Sequence, residues 1–175
     1  MSHPLISCAI QTPFGDMLAA ATDTGICLLE FTDRQRLEMQ LPRLQKLYKT
    51  ELVTGNCYLL EQLQGQLNDY FNGKRKRFDL PLDLKGTPFQ LTAWSALSAI
   101  PYGETRSYQE QASSIGNPKA FRAVASANRN NRLSILIPCH RVIAKNGHLA
   151  GYGGGLDRKE FLINLEKQHK KITNK

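Results

Sequence analysis

The stretch TRSYQEQASSIGNPKAFRAVASANRN, residues 105–130, carries the punctuation that decides the fold of the second half of this chain. Ser107 stands three residues before Glu110, the reciprocal capping pair that opens a helix at Tyr108. Ile115-Gly116 closes that helix, Asn117 is placed to cap the next, and Pro118 takes a first helical position, where a missing N–H costs nothing. A second helix then runs over residues 120–129. Two short helices joined by so tight a turn read as a helix-turn-helix. Ala120, Ala123, Ala125, Ser126 and Ala127 leave the second helix slim enough for close approach of another surface, and Arg122 and Arg129 stand among them. Packing of an Ala-rich face explains the small residues. A groove-binding helix explains the arginines too.

Charge is distributed to match. The 175 residues, enough for one sizeable core or two small ones, carry 23 Lys and Arg against 15 Asp and Glu, a net charge of +8. Residues 1–86 hold 10 basic and 10 acidic side chains, whereas residues 87–175 hold 13 and 5. The asymmetry points to a polyanionic partner for the C-terminal half, although a basic surface kept for solubility explains charge alone equally well. Apolar residues at 41% and charged residues at 22% exclude disordered and fibrous classes. No apolar run approaches a membrane span, and the start MSHPLISCAI lacks a secretory-signal pattern, so a cytoplasmic protein is expected.

Working outward, residues 5–11, 16–21 and 26–31 are short apolar segments separated by Thr12-Pro13-Phe14-Gly15 and Asp23-Thr24-Gly25, which predicts three antiparallel strands. Leu37, Leu41, Leu44 and Leu47, then Leu59, Leu60, Leu63, Leu67, Tyr70 and Phe71, recur at helical spacing. Lys74-Arg75-Lys76-Arg77 reads as a solvated loop rather than a nucleic-acid contact. Residues 80–88, LPLDLKGTP, are the candidate linker between domains at 1–86 and 87–175. Phe89, Trp94, Leu97 and Ile100 mark a helix that stops before Pro101. Residues 135–138 look β-like, Asn146-Gly147 is a hairpin-type turn, and residues 151–155 form a Gly-rich loop whose backbone could lie against a ligand. The last helix is expected to open with Asp157 as cap and Glu160 three residues on, to bury Phe161, Leu162 and Leu165, and to carry Glu166 before a basic tail. The four cysteines, Cys8, Cys27, Cys57 and Cys139, form no C-x-x-C pair; reduced thiols, most of them buried, are expected. His3, Cys8 and Cys27 could meet if the first strands pair, but their spacing gives a metal little support.

Cys139 and His140 are adjacent, and on a regular strand neighbours point to opposite faces. Pro138 suggests a bend that would restore contact, directly or through water. A nucleophilic cysteine needs its thiolate favoured by a base, and a carboxylate such as Glu166 would orient that base. A lone cysteine in an apolar run is more often simply core.

IPCHRV (137–142) resembles the active-site signature of the methylated-DNA–protein-cysteine methyltransferases, and the surrounding pieces are similar to that family as well. They are TPFQ (87–90), Trp94, IPYGETRSY (100–108), GNPKAFRAV (116–124), the spacing from Asn131 to Cys139, the Gly-rich loop after Tyr152, and KEFLINLE (159–166). The resemblance implies an α+β protein, with a ribonuclease H-like N-terminal domain on a three-stranded antiparallel sheet and a winged helix-turn-helix-like C-terminal domain. It implies a monomer that binds double-stranded DNA through the minor groove, flips out 6-O-alkylguanine, and takes the alkyl group irreversibly onto Cys139. Position by position it makes His140 and Glu166 the proton relay, Tyr108 the donor to a guanine ring nitrogen, and Asn131 the brace of the turn before the active site. It gives substrate contacts to Val142, Tyr152 and Gly153, the role of arginine finger to Arg122, and further DNA contacts to Lys119, Ala123, Arg129 and Arg132. Whether 4-O-alkylthymine is also accepted stays open. No metal and no cofactor are expected.

Two positions depart from the family pattern: Phe121 stands where a small residue is usual, and Ala125 where glycine is common. An apolar wedge beside Arg122 and a side chain packed into the core are the two readings of Phe121. The alternatives to repair are a non-repairing relative that only binds alkylated bases, which would lack the acceptor cysteine, and a cysteine hydrolase using Cys139, His140 and Glu166, which leaves the basic helix-turn-helix unexplained.

Overall fold

The structure, a computed structural model, describes residues 3–33 and 35–172, without the side chains of Lys171 and Ile172. The end of the basic tail, residues 173–175, lies outside the described residues. The chain divides into two compact units, Met1–Lys85 and Gly86–Lys175.

In the first unit β1 (Leu5–Thr12), β2 (Gly15–Ala21) and β3 (Ile26–Phe31) form the expected antiparallel meander. Gly15, at φ 127°, lets the β1–β2 turn close. Helix α1 (Gln35–Tyr48) then crosses over to β4 (Leu52–Thr54), which lies parallel to β1 and gives the order β3-β2-β1-β4. The sheet therefore has four strands rather than three; the fourth is too short for an alternating pattern to reveal. Leu37, Leu44 and Tyr48 of α1 close over Leu5, Ala20 and Leu28 of the sheet. The next helix, α2 (Tyr58–Phe71), buries Leu60, Leu63, Leu67 and Tyr70.

The candidate linker is largely not a linker. Ile26 N–H donates to Pro81 O and Asp83 N–H to Ile26 O, both at 2.9 Å, and the Tyr48 hydroxyl donates to Asp83 O at 2.6 Å. Residues 81–83 are thus stitched onto the start of β3. The approach is close enough to require Gly25, because a Cβ there would lie 2.6 Å from Asp83 N and 2.7 Å from the Leu82 carbonyl carbon. Backbone cannot yield as a side chain tip would, so Gly25→Ala is expected to destabilise the protein by about 1–3 kcal/mol. Urea unfolding measures this directly, and an unchanged midpoint would contradict the stitched geometry.

The second unit opens with α3 (Pro88–Ser98), started by a capping box between Thr87 and Gln90. Strand β5 (Arg106–Ser107) pairs in parallel with β6 (Val142–Ile143). Ser107 and Glu110 form their capping box at α4 (Tyr108–Ser114), and a 3₁₀ turn (Pro118–Ala120) leads into α5 (Phe121–Arg129). Gln111 and Asn128 exchange amide hydrogen bonds at 3.0 and 2.8 Å, tying the two helices together, while the Trp94 indole N–H donates to Ala127 O at 2.9 Å. The chain ends in α6 (Leu156–Ile172).

Four local expectations need correction. Asn117 makes no side-chain cap, because a 3₁₀ turn stands where the helix was expected to begin. Residues 135–138 form turns, with Ile135 at φ 73°, so the apolar run is buried without being a strand. Asp157 lies inside the first turn of α6, where its charge suits the helix dipole, rather than at the cap. All four cysteines stand outside any disulfide, but only Cys27 is buried; Cys8, Cys57 and Cys139 are half-buried.

Candidate active site

Pro138 turns the chain into a short 3₁₀ segment, Cys139–Arg141, so that Cys139 and His140 are not held on opposite faces of a strand. Asn131 anchors the approach to this bend. Its amide nitrogen donates to Ile137 O at 2.9 Å and to the Cys139 sulfur at 3.3 Å, and its amide oxygen accepts from Leu133 N–H at 2.9 Å. The apolar run 133–138 is thereby organised as a buried loop around one side chain.

Behind the cysteine lies a buried charge network. His140 Nε2 meets Glu166 Oε2 at 2.6 Å, and both side chains are essentially inaccessible. Arg141 grips the same carboxylate with Nε at 2.7 Å and Nη2 at 3.1 Å, and its Nη1 donates to Ile100 O at 2.7 Å. Gly103 N–H adds a fourth donor at 3.2 Å. Burial alone pushes the Glu166 carboxyl up, but the charges and hydrogen bonds of His140 and Arg141 together outweigh it and hold the group well below the usual carboxylate range. Because the folded-state pKa lies below the unfolded one, this network stabilises the fold fully above the ordinary carboxyl value of 4.5 and progressively less as pH falls below it. Melting temperature is therefore expected to drop more steeply between about pH 5 and pH 3 in the wild type than in Glu166→Gln; parallel slopes would show that Glu166 does not carry the effect.

His140 Nδ1, on the opposite side of the ring, is buried with no protein partner. A water between it and the sulfur would satisfy both.

In front of the cysteine is a pocket lined by Tyr108, Ala125, Asn128, Arg129, Cys139, Gly151, Tyr152 and Gly153, with a free volume of about 10 Å³, room for about one water. The Tyr108 hydroxyl donates to Ala150 O at 2.8 Å. Burial pushes this phenol up, the nearby Cys139 adds to the shift, and Arg129 opposes it. Lys159, fully buried on α6, donates from Nζ to Ala150 O at 2.7 Å and to Gly151 O at 3.3 Å. Burial lowers its pKa to about 8 against the opposing pull of Cys139.

The geometry thus brings Cys139, Tyr108, Arg129, Tyr152 and Gly153 to one pocket, with Asn131, His140 and Glu166 directly behind it. Val142 is buried in β6 and is not among the lining residues. Lys119, Arg122, Ala123 and Arg129 are exposed, whereas Arg132 is half-buried with its guanidinium carbon 5.6 Å from the Trp94 ring centre. The sequence reading missed Arg141 and Lys159. Both lie inside quoted motifs, yet nothing in a sequence distinguishes a buried cation from a solvated one. Among the described residues, no group of three or more His, Cys, Asp or Glu side chains is placed to hold a metal ion.

A cysteine beside a buried His–Glu pair, in a unit built on a basic helix-turn-helix, places the chain in the class of nucleic-acid-binding proteins. Residues 6–84 match the family described as 6-O-methylguanine DNA methyltransferase, ribonuclease-like domain, and residues 88–168 match its DNA binding domain. A methylated-DNA–protein-cysteine methyltransferase of Methanosarcina barkeri is 44% identical over 161 residues, covering 91% of this chain and 96% of the relative. The constitutive enzyme of that name from Bacillus subtilis is 43% identical over 159 residues, covering 90% and 92%. The crystal structure of Mycobacterium tuberculosis OGT in complex with DNA superposes with a TM-score of 0.80 at 40% identity, covering 94% of each chain. The chain belongs to the methylated-DNA–protein-cysteine methyltransferase family. Its fold is that family's two-domain α+β arrangement, ribonuclease-like and then DNA-binding.

Proposed function

We propose that this protein repairs DNA by direct reversal, moving the alkyl group of 6-O-alkylguanine onto Cys139. The observation that carries the reading is the arrangement around one sulfur: Asn131 donating to it, the His140–Glu166–Arg141 network behind it, and the Tyr108 pocket in front. Glu166 holds His140 by Nε2, which leaves Nδ1 to accept the thiol proton through a water. The thiolate attacks the alkyl carbon; the carbon–oxygen bond breaks and its electron pair passes to the guanine oxygen. A proton from the Tyr108 hydroxyl to a ring nitrogen lets guanine leave neutral. The product is a thioether, which does not hydrolyse readily, so each molecule acts once.

A base inside a duplex is out of reach of the pocket and must be rotated out. Arg122, exposed on the small-residue helix α5, is the side chain assigned to the space left behind, and Lys119, Ala123, Arg129 and Arg132 to contacts along the groove. The resting pocket, with room for about one water, does not admit a purine. The loop at 150–153, held by Tyr108 at Ala150 O, borders the way in and would have to give room to the base. No described helix is long and apolar enough to cross a membrane. Cysteines without disulfides fit the reducing cytoplasm, to which we assign the protein.

The test is incubation with duplex DNA carrying 6-O-methylguanine, followed by peptide mass analysis. One methyl group on Cys139, in at most one equivalent, is expected. Repeated turnover would point to a hydrolase instead, and DNA binding with Cys139 unmodified would point to a non-repairing relative.

A further inference from the structure

Phe121 is the one aromatic residue on the helix assigned to the groove, and the mechanism above gives it no task. It opens α5 half-buried, directly after the 3₁₀ turn Pro118–Ala120. Two geometric facts locate it. Ala125, one helical turn further along the same face, lines the acceptor pocket beside Cys139, as do Asn128 and Arg129. Phe121 therefore stands one turn beyond the pocket lining on the α5 face that borders it. The second fact concerns Arg122. Its guanidinium carbon lies 5.9 Å from the Phe121 ring centre, and among the described residues no carboxylate pairs with it.

Neighbouring side chains on a helix do not normally face each other. The Arg122 guanidinium nonetheless lies over the Phe121 ring, within the outer limit of the cation–π arrangement. Of the other arginines of this unit, Arg132 lies over Trp94, Arg141 pairs with Glu166, Arg106 with Glu104 and Arg158 donates to Gly154 O, while Arg129 lines the pocket itself.

We propose that Phe121 and Arg122 act as one unit, in which the ring holds the guanidinium beside the acceptor pocket and enters the base stack with it. An aromatic face and a cation would then jointly fill the place vacated by the flipped nucleotide. Aromatic and apolar side chains unstack base steps by insertion from the minor groove, and a guanidinium held in advance loses less freedom on entering. The proposal rests on the repair reading above and adds to it a second gap-filling residue. Phe121 is thus a positioning residue for Arg122 as well as a contact to the duplex.

Four proteins test it: wild type, Phe121→Tyr, Phe121→Leu and Phe121→Ala. Each is assayed for methyl transfer from duplex 6-O-methylguanine, for benzyl transfer from free 6-O-benzylguanine base, and for melting temperature. Loss of an exposed cation–π contact predicts that Phe121→Leu slows transfer from the duplex about two- to fivefold. Phe121→Ala should slow it further, Phe121→Tyr should stay near wild type, and the rate with free base should be constant throughout. The idea is overturned if Phe121→Leu matches wild type on duplex DNA, or if both substrates slow together as melting temperature falls, which is the signature of a core residue. Should Phe121→Ala fail to fold, the Leu and Tyr variants decide the matter. A wild-type protein that leaves Cys139 unmodified would overturn the repair reading instead, so the two failures are distinguishable.

Discussion

Replacing Tyr108 by Phe is expected to slow transfer from alkylated duplex DNA by about 10²–10⁴-fold, the range for loss of a positioned proton donor, while leaving the fold nearly unchanged. The removed atom is one hydroxyl whose recorded bond goes to Ala150 O. That carbonyl also accepts from Lys159 Nζ at 2.7 Å, so the loop keeps an anchor when the hydroxyl is gone. On the proposed mechanism, what disappears is the donor that would let guanine leave without a full negative charge. Burial, with Cys139 nearby, pushes the Tyr108 phenol above its ordinary value. Single-turnover rates with duplex substrate, alongside DNA affinity for a Cys139→Ser background, separate chemistry from binding. If Tyr108→Phe lost affinity and rate in equal proportion, the hydroxyl would be a binding contact and not a proton donor.

Arg141→Met is expected to cost about 3–5 kcal/mol of stability, because it leaves a buried carboxylate without its two-pronged guanidinium partner. Arg141 supplies two of the four donors on Glu166 and also satisfies Ile100 O. The double variant Arg141→Met with Glu166→Gln should be more stable than Arg141→Met alone, since neutralising the stranded carboxylate removes the worst of the penalty. Urea unfolding of the wild type, the two single variants and the double variant measures the coupling. Additive losses would mean that the two side chains are independent, contrary to their geometry.

How legible this molecule was depends on how local its determinants are. The helix-turn-helix could be read because caps, glycine and proline act within a few residues, and Ser107–Glu110 forms as its spacing predicts. Strand β4 could not, since three residues carry no periodicity and its pairing with β1 arises only after α1 has crossed the sheet. Residues 135–138 misled because burial and β-strand share the same apolar signature; the deciding element is Asn131, whose amide organises the loop from outside the run. The pairing of His140 with Glu166 was readable as a chemical requirement and is present at 2.6 Å. Arg141 and Lys159 were not readable, because their burial depends on acceptors brought near by folding: a carboxylate 25 residues away for one, loop carbonyls for the other. The Gln111–Asn128 amide pair is of the same kind.

The small free volume beside Cys139 has a consequence for the protein's working life. A repair protein that reacts once is spent by any electrophile that reaches its sulfur, whether or not that electrophile is damaged DNA. Space for about one water leaves a bulky alkylating agent little room beside that sulfur. On the proposed mechanism, the loop that Tyr108 and Lys159 hold at Ala150 would serve as a safety catch, keeping the thiol in reserve until a base displaces it.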